Sequence, residues 1–81
     1  MSEKTLAESV SEALFEQAVA AHKDGNRELR NSFCFWTQIV DCPGLTRDDI
    51  HSYIMGLDRR ALKENHKNSE IVAKVLRGFV S

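Results

Sequence analysis

Cys42-Pro43-Gly44-Leu45-Thr46-Arg47-Asp48-Asp49-Ile50 decides how this chain is divided. Proline has no backbone N–H to donate and pushes the residue before it out of the helical region, so a helix arriving through Trp36, Ile39 and Val40 should stop at Asp41 or Cys42. Gly44 permits the turn that follows. Thr46 stands three residues before Asp49, a short-acid variant of the capping box, and its side chain can accept from an otherwise unpaired N–H of the next helix. The stretch is therefore a joint between two helices.

Working back from the joint, residues 27–41 read as a helix whose apolar stripe is Leu29, Phe33, Trp36 and Val40, with Trp36 expected to be largely buried in the middle. Asp24-Gly25-Asn26 forms a second stop, with glycine suited to the left-handed conformation past a helix end. Before it, residues 3–23 read as a helix, because Leu6, Val10, Ala13, Leu14, Ala18 and Ala21 recur at spacings of three and four while Glu8, Glu12 and Glu16 take the opposite face. Working forward, the helix that begins at Thr46 places Ile50, Tyr53, Ile54, Leu57 and Ala61 on one face and is expected to run to Glu64 or His66. Gly56 interrupts it at a cost of about 1 kcal/mol relative to alanine, which leaves two readings: a single bent helix, the one expected, or two pieces with Asp58 capping the second. Asn68 or Ser69 is expected to cap a last helix holding Ile71, Val72, Val75, Leu76 and Phe79. No run alternates in the manner of a strand. The fold class expected is all-α, a compact bundle of about four helices in a single domain covering residues 1–81.

Composition narrows the function classes. A chain of 81 residues with one proline holds one modest core and is too short for a catalytic domain with a separate lid. With 42% hydrophobic and 28% charged residues of nearly balanced sign, it should fold and not stay disordered. The polar opening MSEKTLAESV has no leader-type apolar run, and no segment approaches the roughly 18 apolar residues of a membrane span, so a cytoplasmic site away from membranes is expected. Cys34 and Cys42 would have to bridge two turns of helix, about 12 Å at 1.5 Å per residue, against a Cα limit near 7 Å. Free thiols are expected. His22, His51 and His66 form no ligand-type spacing with each other or with the cysteines, so neither a metal nor any other cofactor is expected. Asp41, Asp48, Asp49, His51 and Asp58 are spaced as surface charges, no phosphate loop or nucleophile elbow occurs, and Cys34 has no basic neighbour in sequence to activate it. A non-enzyme follows.

Two groups of side chains fall outside the core stripes. At about 100° per residue, Phe15 and Val19 project away from the stripe of the first helix, and Phe35, with Ile39 beside it, does the same on the second. A helix wedged between neighbours would bury Phe35 and Ile39; exposed, Phe15, Val19 and Phe35 would instead mark an interface. Arg59, Arg60, Lys63 and Lys67 form a basic strip, either the ordinary solvated face of an amphipathic helix or a contact for phosphate or an acidic partner, with Gly56 nearby to allow close approach.

The function expected is that of a small regulatory protein working through protein–protein contact, as a homodimer, an adaptor or an inhibitor. The alternative is a helix-turn-helix DNA-binding transcriptional regulator: Gly44, Leu45 and Ile50, six residues beyond the glycine, resemble that pattern over about twenty residues, although Pro43 departs from it. Electrostatics weighs against nucleic acid, because Asp48 and Asp49 would point at it from the reading helix and the net charge is −1. The charge is asymmetric, however. From Thr46 onward seven Lys and Arg face five Asp and Glu, net +2, whereas the preceding residues carry four against seven, net −3.

Overall fold

The structure is a computed structural model that describes residues 4–80. Four α-helices follow one another: α1 (Leu6–Lys23), α2 (Arg27–Val40), α3 (Arg47–Glu64) and α4 (Lys67–Arg77), with no strand among the described residues. The fold is thus the all-α bundle that the stripes imply.

Each boundary has a local cause. α1 starts at Leu6 because Thr5 caps it, its hydroxyl accepting from the Glu8 N–H at 3.2 Å; residue 3, the start expected from periodicity, lies outside the described residues. At the other end Gly25 takes φ +76°, and the Asn26 and Gly25 N–H groups bond back to the Ala21 and His22 carbonyls. That double bond closes the carbonyls left open at a helix terminus. Asn26 then caps α2 through the Leu29 N–H. α2 ends at Val40, one residue short of the expected stop, and Gly44 turns the chain at φ +84°.

The capping box at α3 is formed in both directions. Thr46 Oγ1 accepts from the Asp49 N–H at 3.2 Å, and Asp49 Oδ2 accepts from the Thr46 N–H at 3.1 Å. Asp48 and Asp49 also lie at the positive end of the helix dipole. Thr46→Ala is expected to cost about 1 kcal/mol, read as a lower urea midpoint at unchanged slope. An unchanged midpoint would show that this cap contributes nothing.

α3 runs unbroken through Gly56, where an added Cβ would meet nothing within 4 Å beyond its own helix backbone, so the glycine serves no close approach among the described residues. The start of α4 departs from expectation. Asn65 adopts the left-handed conformation, φ +52°, and leaves only His66 before the next helix. His66, not Asn68 or Ser69, is therefore the cap: its Nδ1 accepts from the Ser69 N–H at 3.2 Å and lies 2.7 Å from Ser69 Oγ. Ser69 is the one buried polar side chain among the described residues, and this pairing satisfies it.

α1 and α2 pack as one antiparallel hairpin and α3 and α4 as another, with α4 crossing against α2 and α1. Val10, Leu14 and Ala18 of α1, Phe33 and Val40 of α2, Ile50, Ile54 and Leu57 of α3, and Val72, Ala73 and Leu76 of α4 fill the space between the two layers. Two stripe members need correction. Ile71 is exposed, and Ala73 takes the interior position on α4 in its place. Phe79 lies in the turn beyond Arg77, outside α4, although it still packs on the core. Trp36 is largely buried, as expected, but at the rim of the core, its ring centroid 5.4 Å from Tyr53 at a tilt of 59°, while Phe33 holds the interior. The molecule measures 40 × 28 × 19 Å, the flattened form that two stacked helical hairpins give.

Candidate functional site

The core directs one face of the α1–α2 hairpin inward, so the opposite face of that layer is turned to solvent. Phe15 and Val19 lie on it, 58% and 39% exposed, four residues apart and hence neighbours on the α1 surface. Together with Ala18, His22, Arg30 and Cys34 they line a shallow groove of about 240 Å³ between the two helices. Ala18 forms its floor because its small side chain lets α2 come close. Cys34 contributes an exposed free thiol at the same level as the two apolar side chains.

Phe35 is also exposed, at 59%, so the wedged arrangement that would have buried it does not occur; Ile39 is half-buried. It does not join Phe15 and Val19. Its side chain lies on the other flank of α2, edge-on to Trp36 at 5.9 Å, and borders a separate hollow of about 420 Å³ with Ser32, Arg60 and His66. The three interface candidates therefore divide into a pair on one groove and a single aromatic on another.

Charge is arranged along the Phe15 face. Toward the start of α1 lie Glu8 and Glu12, and the antiparallel hairpin brings Asp41 to the same end. Lys4 pairs with Glu12, and that hydrogen bond and the charge of Glu12 raise the lysine above its usual pKa. Toward the 24–26 turn lie His22, Lys23, Arg27 and Arg30, with the Arg30 guanidinium 3.4 Å from His22 Nδ1 and bonded to Asn31 Oδ1 at 3.0 Å. One end of the face is net acidic and the other net basic, although Asp24 and Glu28 lie at the basic end and Glu16 is exposed between the two.

The basic strip is shorter than its sequence suggests. Arg59, Arg60 and Lys63 are exposed on α3, but Lys67 is the first residue of α4, beyond the left-handed turn at Asn65, so the strip does not continue to it along one helix. Arg60 is engaged by Glu64 at 2.9 Å. Arg47 is twelve residues from Arg59, about 18 Å along the helix, and does not extend the strip. Residues 41–46 separate α2 from α3, longer than the three- or four-residue turn of a helix-turn-helix, and the two helices do not pack closely on each other.

The remaining candidates have structural roles or none visible. Asp49 is in the capping box and Asp58 pairs with Arg77 across α3 and α4. Cys34 and Cys42 are both free. Among the described residues no three His, Cys, Asp or Glu side chains come together as a metal site, and no helix is long and apolar enough to cross a membrane.

Reading by stripes missed a second apolar exposure. Leu62 is 87% exposed and Met55 also stands in solvent, on α3 with Arg59 between them. They are seven residues apart, which places them on one flank of a helix, and that spacing was the available signal. No family model, curated protein or solved structure matches this chain.

Proposed function

We propose that the chain is a non-enzymatic regulatory protein that acts by protein–protein contact, as a homodimer, an adaptor or an inhibitor, through the outer face of α1 and α2. The observation that carries this reading is the exposure of Phe15 and Val19 side by side over an apolar groove. The apolar area that these two side chains leave in water contributes nothing to folding, and apolar groups exposed together in this way mark contact surfaces. Polar and charged side chains surround them, as at the rim of an interface. A cytoplasmic site accords with two exposed thiols, since cysteines in oxidising compartments are usually paired.

The double variant Phe15→Ser, Val19→Ser tests the reading. It is expected to keep the helical circular-dichroism spectrum and to lose association with the chain's protein partner, whether a second copy or another protein, by roughly tenfold or more. Unfolding of the variant would show that both residues belong to the core. Duplex DNA binding at about 150 mM salt, lost on reversing Arg59, Lys63 and Lys67 to glutamate but kept in the double variant, would replace this reading with the DNA-binding one.

A further inference from the structure

We propose that the partner is a second copy of the chain, seated antiparallel on the same face, with a two-fold axis at the level of Phe15, Val19 and Cys34. The inference rests on the contact-surface reading above and adds the occupant and its orientation. A two-fold interface must be self-complementary, because each patch meets itself turned through half a rotation. The charge order of this face meets that condition.

Position 17 lies midway between Phe15 and Val19. Glu12 stands five residues before it and His22 five after; Glu8 stands nine before, and on the other side Lys23 ends α1 at the turn from which Arg27 begins α2. Laying one α1 antiparallel on another about that midpoint sets Phe15 against Val19 at the centre. It sets Glu8 and Glu12 of each copy against the end that carries His22, Lys23 and Arg27 of the other. Asp41, at the acidic end, is likewise carried toward Arg30. Lys4 at the acidic end, and Asp24 and Glu28 at the basic end, reduce the charge of the two ends without reversing either, and Glu16, exposed one residue from the axis, stands to one side of the apolar pair.

The parallel arrangement would oppose carboxylate to carboxylate and guanidinium to guanidinium, which disfavours it. The exposed patch at Met55 and Leu62 shows no comparable order. Arg59 lies on the same flank directly between its two apolar residues, with Lys63 beside them, so two copies meeting there would bring like charges together at the centre, whereas Glu16 stands farther to one side of Phe15 and Val19. α2 lies alongside α1 in the same layer, so the axis also brings the two Cys34 thiols toward each other and leaves the two Cys42 thiols at opposite ends.

Sedimentation equilibrium on the full chain tests the proposal, with variants confirmed as folded by circular dichroism. The wild type is expected to dimerise, more weakly as salt is raised. Glu8→Lys with Glu12→Lys, and separately Lys23→Glu with Arg27→Glu, are each expected to weaken the homodimer several-fold. An equimolar mixture of these two variants is expected to recover the association, because every opposed pair then regains unlike charge. A short bismaleimide is expected to join two copies through Cys34 in a Cys42→Ser background and not through Cys42 in a Cys34→Ser background.

A wild type that stays monomeric at several hundred micromolar overturns the proposal, as does a dimer indifferent to both charge variants. If the monomeric chain still loses a different protein's binding in the Phe15→Ser, Val19→Ser variant, only the choice of occupant has failed. A dimer abolished by Met55→Ser with Leu62→Ser and untouched by Phe15→Ser with Val19→Ser would remove both the occupant and the contact face.

Discussion

Phe33→Ala is expected to lower the unfolding free energy by about 3 to 5 kcal/mol, from the transfer of the ring and the cavity left behind. Phe33 is 1% exposed and has the largest side chain among those fully buried, at the centre of the cluster that joins both hairpins. At about 0.05 to 0.15 kcal/mol per residue, a chain of 81 residues holds about 4 to 12 kcal/mol in total, so the variant should lose a large share of its stability and its urea midpoint should fall steeply. Urea titration followed by circular dichroism reads this directly. A loss below about 1 kcal/mol would mean that the layers close up over the cavity, well outside the usual range for such a truncation.

Trp36→Ala should cost somewhat less, about 2 to 3 kcal/mol, because the ring lies at the rim of the core and part of its area stays in water in the folded state. Its main partner is Tyr53 on α3, and Phe35 stands edge-on to it. A double-mutant cycle between Trp36 and Tyr53 is expected to show a coupling of about 0.5 to 1.5 kcal/mol, the range for paired aromatic rings. A Trp36→Ala cost matching that of Phe33→Ala would place the indole in the interior. Additive effects of the two single changes would show that the ring pair contributes only its separate areas.

The contrast between these residues shows what the sequence can and cannot specify. Helical periodicity put both on one stripe, correctly, but a stripe spans about 100° or more of helix surface and does not say which member lies at its centre. The answer depends on where α4 crosses α2, and that crossing is set by Val72, Ala73 and Leu76, remote in sequence. The caps at Thr46 and the stops at Gly25 and Pro43-Gly44 were legible because they depend on neighbouring residues alone. The cap of α4 was not, because His66 is an uncommon cap and becomes one only once Asn65 turns left-handed.

The candidate site was legible in the same measure. Phe15 and Val19 sit off the core stripe of α1, and no neighbouring helix covers them. Phe35 shares their exposure without their location, since the two flanks of α2 can be assigned to different grooves only when α1 and α4 are in place. Lys67 was assigned to the α3 strip because nothing in its own charge shows that the chain turns at Asn65.

Both layers are hairpins closed by short turns, residues 24–26 in one and 65–66 in the other. Closing so short a connection costs little chain entropy, and the helices it joins meet residues close to them in sequence. Only the meeting of the two hairpins, chiefly α4 on α2 and α1 with Tyr53 of α3 against Trp36, has to bring distant parts of the chain together. Refolding should accordingly be rapid, on the scale of microseconds to milliseconds seen for helical folds of low contact order. Within that time the outer α1–α2 surface can assemble as soon as its own hairpin closes, before the interior between the layers is sealed.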